Sequence, residues 1–156
     1  MKVELIVVGK TDLKTIESLN IMYTERIRHY LSFDIKVLPD VKTPGNLTVE
    51  QQKNAESLLI MKNIREQDCV VLLDEKGSEY SSVNFSKFIE SRTLEGKKLI
   101  FIIGGPFGFS ETVYKRAQYK VSLSKMTFSH QIIRVIFLEQ LYRAMTIIRN
   151  EKYHHE

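Results

Sequence analysis

Leu99-Ile100-Phe101-Ile102-Ile103-Gly104-Gly105-Pro106-Phe107-Gly108 is a run of five apolar residues that ends on a glycine-rich turn. An unbroken apolar run of this length, bounded by turn residues, predicts a strand of a parallel sheet covered by helices. Similar runs, most of them rich in Val and Ile, predict strands at 3–8, 34–38, 69–73 and 120–123. Helical spacing fills the intervals. Ile16, Leu19, Tyr23, Ile27 and Tyr30 recur at steps of three or four within 15–31. Thr48 and Gln51 form a capping-box pair at the start of a helix over 48–64, and 83–89 continues the alternation. Strand and helix taking turns from end to end predict an α/β fold, with a mainly parallel sheet and helices on both faces. Lys42-Thr43-Pro44-Gly45-Asn46 reads as a surface loop before a helix.

The 156 residues suit a single domain over 1–156, with material for a real core and for one site per chain. The longest apolar runs, such as 5–8 and 99–103, fall far short of the roughly 18 to 20 residues of a membrane span. Glu4 interrupts the opening apolar stretch and no small-residue cleavage site follows, so no signal peptide and a cytoplasmic location are expected. The single cysteine, Cys69, opens an apolar run and reads as a buried strand thiol. There is no G-x-S-x-G elbow, no lysine after a phosphate-binding glycine loop, and no Cys or His pair at metal-ligand spacing, so no metal is expected.

Charge is unevenly spread along the chain. Residues 1–110 hold 15 Lys and Arg against 15 Asp and Glu, whereas 111–156 hold 8 against 4. A basic end on a neutral body suits contact with RNA phosphates, whose counterions cationic side chains displace; a solvated basic helix face is the alternative. The last helix, from Ser129 as N-cap to about Arg149, would run roughly 30 Å. Its apolar residues, among them Ile132, Val135, Ile136, Leu138, Leu141 and Ile147, cover more than the one stripe that packing on a sheet requires. A two-fold homodimer through this helix is therefore expected, the alternative being complete burial within one chain.

In open parallel sheets ligands bind beyond the carboxyl ends of strands. Three loops qualify: Asp74-Glu75-Lys76-Gly77, Gly104-Gly105-Pro106-Phe107-Gly108 and Ser124-Lys125-Met126-Thr127-Phe128. The glycine loop lacks the G-x-G-x-x-G order and follows the fourth strand, which argues against a dinucleotide pyrophosphate. It permits either a small cofactor against the main chain or only a tight turn with Ser110 as N-cap.

The motifs Gly104-Gly105-x-x-Gly108, Leu123-Ser124-Lys125-Met126-Thr127-Phe128-x-His130-Gln131, Arg134, Glu139-Gln140-x-Tyr142-Arg143-Ala144 and Tyr153-His154 resemble the SPOUT class of RNA methyltransferases. Within it they are most similar to the bacterial enzymes that methylate N3 of a pseudouridine in large-subunit ribosomal RNA. Val8-Gly9-Lys10 and Leu38-Pro39-Asp40 also fit, so the resemblance spans the chain. It implies a carboxyl-terminal trefoil knot (the SPOUT or alpha-beta knot) that binds S-adenosyl-L-methionine. The cofactor positions would be Leu73, Gly104, Leu123, Ser124, Lys125, Met126, Thr127 and Phe128. It further implies a homodimer through the last helix and action on assembled ribosomes. Ser129 stands where relatives often carry Pro, and His155 where they usually carry Arg or Lys.

Methyl transfer to an imide nitrogen needs alignment, exclusion of water, and loss of the N3 proton, aided by a base or by cations that stabilise the resulting anion. His154 and Arg143 are the first candidates within the matched motifs, followed by Tyr153 and Arg134, and Lys125 would act near the cofactor. In a dimer the tail of one subunit could close over the cofactor of the other. Two rival readings share parts of this pattern: a ribosome-associated RNA-binding protein without catalysis, and an ordinary nucleotide-dependent α/β enzyme.

Overall fold

Each of the five expected strands joins one sheet. The structure, a computed structural model, describes residues 1–41 and 45–155; Lys42, Thr43 and Pro44 of the expected surface loop lie outside the described residues. Among the described residues the order of elements is β1 (Lys2–Val8), α1 (Lys14–Arg28), β2 (Ser32–Leu38), α2 (Val49–Lys62) and β3 (Cys69–Glu79). There follow α3 (Ser82–Leu94), β4 (Leu99–Ile103), α4 (Glu111–Arg116), β5 (Tyr119–Ser122) and α5 (Ile132–Ile148). The strand order is β2-β1-β4-β3-β5, and every pairing is parallel.

Alternation along each strand sends side chains into two cores. Val3, Leu5 and Phe101 pack toward α1, α3 and α5 through Ile27, Phe85 and Phe137. Ile6, Leu72 and Ile102 pack on the other face against Ile60 of α2 and Val113 of α4. Each such side chain, fully buried, contributes about 1.5 to 3 kcal/mol, which is why the inner strands read as unbroken apolar runs. Cys69 is buried in this layer, and burial pushes its thiol pKa up.

Local signals set the helix starts. Thr48 accepts from the Gln51 N–H while the Gln51 side chain accepts from the Thr48 N–H, the reciprocal capping box at the head of α2. Ser110 caps the short α4 by accepting from the Val113 N–H at 3.4 Å. The regular part of α5 begins at Ile132, but Ser129 already accepts from the Ile132 N–H, so the expected capping residue acts one turn before the helix proper. At its other end Asn150 adopts φ 55°, and the N–H groups of Glu151 and Asn150 return to the carbonyls of Thr146 and Ile147. This paired 6→1 and 5→2 pattern stops the helix and turns the tail back along it.

One expectation needs correction. The stretch 74–77, read as a loop after the third strand, is an irregularity inside β3: Val121 of β5 pairs with Leu73 before it and is opposite Ser78 after it. Asp74-Glu75-Lys76-Gly77 has the residue types of a turn, yet these residues belong to the strand, which runs on to Glu79. Helix α5 is flanked by α1 and α3 within its own chain, and its Phe137, Leu138, Leu141, Ala144 and Met145 are buried. What remains is an outer stripe with Ile132 at 43% exposed and Val135, Ile136 and Ile147 partly exposed.

Candidate functional site

A cleft of about 600 Å³ opens at the carboxyl ends of β4 and β5 and at the irregularity within β3, a volume suited to a small ligand or cofactor. Ile103 at the end of β4, Leu123 just after β5 and Leu73, which precedes the irregularity of β3, line it together with Ile133 of α5. The main chain of Gly104 and Gly105 forms one wall, and Ser124, Met126, Thr127 and Phe128 form the facing wall. Asp74, Glu75, Lys76, Tyr114 and His130 supply its polar groups.

The walls are held by specific contacts. Ser124 Oγ accepts from the Met126 N–H at 2.9 Å, folding the loop after β5 on itself, and Ser122 Oγ donates to the Ser124 carbonyl at 3.0 Å. The Thr127 hydroxyl donates to Glu75 Oε2 at 3.4 Å, linking that loop to the bulge of β3. Tyr114 donates its hydroxyl to Asp74. Burial, then this carboxylate, push the Tyr114 pKa up to about 12, so it remains a proton donor.

Behind the glycine wall lies a carboxylate that the linear pattern did not single out. Glu56 of α2 is buried and sits against Gly105, whose main chain hydrogen bonds to it, with the Gln52 amide at 3.4 Å. A Cβ at position 105 would collide with Glu56 Oε1, so any side chain there displaces the buried carboxylate, a constraint of contact rather than of φ. The only signal in the sequence is that Glu56 is four residues before Ile60, on the inward stripe of α2. Burial holds the Glu56 carboxyl above the usual carboxylate range. An acid with a raised pKa lowers stability as pH rises through that value, and the effect vanishes below the unfolded-state value of about 4.3. Glu56→Gln should therefore raise the thermal midpoint at pH 7 and lose this advantage near pH 4, as measured by calorimetric melts across that range.

Of the eight cofactor positions expected by resemblance, the structure brings seven into the cleft. Lys125 is the exception: its side chain is 84% exposed and its Nζ lies 3.5 Å from Glu79. The four expected catalytic residues are not in this cleft. Arg134 is 2% exposed, with its guanidinium donating to the Val8 carbonyl at 2.9 Å and to Thr11 Oγ1 at 3.0 Å. Burial pulls its pKa down against the opposing effect of Asp12 and Asp40. Beside it, Gln131 accepts from the Asp12 N–H and donates to the Lys10 carbonyl, so the two side chains fasten the loop after β1 to the head of α5.

The other three form a second cluster further along α5. Arg143 donates through Nε and Nη2 to Glu139 Oε1 at 3.0 and 2.5 Å, one helical turn away. Tyr153 donates to the same oxygen at 3.2 Å, and its ring packs 4.7 Å from Tyr142 and under the Arg143 guanidinium. Burial and the nearby Tyr23 and Glu139 push the Tyr153 pKa up to about 12. The tail is thus tied down rather than frayed, with Glu151 also accepting from the Tyr30 hydroxyl at 2.5 Å. Arg143 Nη1 lies 3.3 Å from His154 Nδ1. A guanidinium only donates, so Nδ1 is the acceptor and neutral His154 carries its proton on Nε2. Arg143 is ten residues beyond the cleft residue Ile133, roughly 15 Å along the helix.

Among the described residues no group of three or more His, Cys, Asp or Glu could hold a metal ion, and no helix is long and apolar enough to cross a membrane.

A parallel α/β sheet whose last three strands deliver two facing loops to one cleft is the framework of a class of methyltransferases, and this chain belongs to it: the SPOUT methyltransferase family. The family model described as "Predicted SPOUT methyltransferase" matches residues 1–154. Among curated relatives, the chain is 53% identical over 156 residues to the Ribosomal RNA large subunit methyltransferase H of Christiangramia forsetii, covering 99% of each chain. It is 54% identical over 158 residues to the protein of that name from Parabacteroides distasonis, and 51% identical over 157 residues to that of Flavobacterium johnsoniae, covering 100% of each chain in both cases.

Proposed function

We propose that this chain is a cytoplasmic, single-domain enzyme that methylates N3 of a pseudouridine in large-subunit ribosomal RNA, using S-adenosyl-L-methionine and acting on assembled ribosomes. The observation that carries the proposal is the cleft between the glycine wall and loop 123–128, in a chain half identical along its whole length to rRNA methyltransferases. The loops that form it belong to the segment that would be threaded as a trefoil knot.

The cleft residues fit the cofactor. Leu73, Ile103, Leu123 and Ile133 offer an apolar bed for a nucleoside, and the Gly104 and Gly105 main chain allows close approach. Asp74 and Glu75 bring negative charge to the same cleft, which suits a cationic sulfonium ligand better than a pyrophosphate. When bound, S-adenosylmethionine supplies an electrophilic methyl group.

The chain's own residues must then hold the base, exclude water and accommodate the loss of the N3 proton. Arg143, locked by Glu139, brings a fixed cation to the tail cluster and orients His154 through Nδ1. The Arg143 cation, with His154 beside it, would stabilise negative charge on the imide, whose proton passes to water before methyl transfer. Tyr153, which keeps its proton at neutral pH, secures Glu139 instead of acting as a base. Arg134 is a positioning residue that anchors the loop after β1. Because the tail lies roughly 15 Å along α5 from its own cleft, each active site would combine the cleft of one subunit with the tail of its partner. The partly exposed outer stripe of α5 supports a two-fold homodimer formed along that helix.

Titration calorimetry tests the cofactor assignment: one S-adenosylmethionine bound per chain is expected, with no heat from ATP or NAD. Absence of S-adenosylmethionine binding would leave an RNA-binding protein that lacks this chemistry.

A further inference from the structure

Counted along the sequence, residues 1–110 are electrically neutral, yet the fold separates their charges. A second concavity of about 710 Å³ is lined by Lys2, Lys36, Lys62, Arg65, Lys97 and Lys98, with Asp68 as its only acid among the described residues. These six cations come from β1, β2, the end of α2, the turn before β3 and the approach to β4, so no segment of the sequence displays them together.

Asp68 is not available to neutralise them. It is buried, and its Oδ2 accepts from the Arg65 N–H at 2.8 Å. Two of the cations are partly compensated, Lys98 by Glu4 at 3.0 Å and Lys2 by Asp34 at 3.4 Å. Lys36, Lys62, Arg65 and Lys97 are exposed and form no ion pair among the described residues. The surface is also built on a fixed frame. The Arg116 guanidinium donates to the carbonyls of Arg65, Glu66 and Asp68, closing the turn that carries Arg65. Like charges held in one concavity repel, and a polyanion that displaces its own counterions onto solvent is the ligand that relieves the repulsion.

We propose that this basic concavity is a second rRNA phosphate-binding surface, set at the opposite end of the sheet from the cofactor cleft. Lys98 precedes β4 and Gly104 follows it, which puts the two sites roughly 20 Å apart along the strand direction. The inference rests on the reading that ribosomal RNA is the substrate. A methyltransferase that must present one nucleotide to a small cleft gains orientation from phosphate contacts on a separate face, because such contacts position without reading sequence.

The test measures binding of the full-length protein to ribosomes and to protein-free large-subunit rRNA at several salt concentrations. It compares wild type with K36E/K62E/K97E and with the neutral K36Q/K62Q/K97Q, which guards against misfolding of the charge-reversed chain. Loss of three phosphate contacts should make the slope of log K against log salt shallower by about two to three and weaken low-salt affinity by roughly ten-fold or more. Turnover at saturating ribosomes and S-adenosylmethionine affinity should stay at wild-type values. Wild-type affinity and slope in both variants would overturn the proposal and reduce these lysines to protection of the β2 edge. Wild-type binding to protein-free rRNA that both variants retain, beside a loss on ribosomes, would assign the surface to an acidic protein and likewise overturn it. If wild type itself binds neither ribosomes nor rRNA, the substrate reading fails first and the surface proposal falls with it.

Discussion

Replacing His154 by Ala is expected to lower the rate of rRNA methylation by about 10²-fold or more, while S-adenosylmethionine affinity changes by less than about two-fold. The asymmetry follows because the cleft that would hold the cofactor is lined by none of Glu139, Arg143, Tyr153 and His154, which would act on the RNA base instead. Single-turnover assays with calorimetry on the same variant measure both quantities. A sharper version mixes His154→Ala chains with chains whose cleft wall is disrupted by Gly104→Val, where an added Cβ would meet the Phe109 ring at 3.0 Å. If each site combines a cleft with the partner's tail, random two-fold pairing restores about a quarter of wild-type activity, from mixed dimers with one intact site. Tails that serve their own cleft predict no recovery.

Gly77→Ala is expected to have the largest effect on stability and on cofactor binding together. A Cβ at this position would lie 2.6 Å from the Lys120 carbonyl carbon and 2.7 Å from the main chain of Val121. These are backbone atoms of β5, so no rotamer change relieves the contact. The strands must separate where β3 resumes after its irregularity, the place where Val121 pairs on both sides. Overpacking of this kind costs about 1 to 3 kcal/mol, which for a chain of this size lowers the thermal midpoint by roughly 2 to 10 °C. The displaced segments carry Asp74 to Lys76 on one side and Leu123 to Phe128 on the other, both cleft walls. S-adenosylmethionine affinity should therefore fall by at least about ten-fold, whereas a variant with an unchanged melting curve and affinity would show that the close approach is not required.

The physical reach of sequence reading differs from element to element. β4 was legible to the residue because a strand buried on both faces has no polar interruption, and Gly104 ends it where the chain must turn. The capping box of α2 was legible because both partners lie within four residues. The continuation of β3 was not, since Asp74-Glu75-Lys76-Gly77 carries every local mark of a turn, and the pairing that resumes the strand depends on β5, more than 40 residues away in sequence.

The site divides in the same way. Residues next to strand ends, such as Leu73, Gly104 and Leu123, follow from the rule that ligands gather at carboxyl ends, and the motif resemblance extended this to 124–128. Glu56 and Tyr114 support the cleft through tertiary contacts, and the helical spacing of Glu56 from Ile60 marks burial without marking a site. Arg134 stood in a matched motif, but motif membership does not separate a substrate contact from an anchor for the main chain of β1. The basic concavity was hidden for another reason: a segment with equal numbers of charges reads as neutral until the fold sorts them by face.

The proposed activity is tested most directly by incubating the purified protein and labelled S-adenosylmethionine with ribosomes from a strain lacking the gene, then mapping the modified nucleotide by nuclease digestion and mass spectrometry. Stoichiometric label on N3 of one pseudouridine of the large-subunit rRNA is the predicted result, lost when Gly104→Val replaces the wild-type chain. Ribosomes that remain unlabelled, or label on any other RNA or on protein, would contradict it.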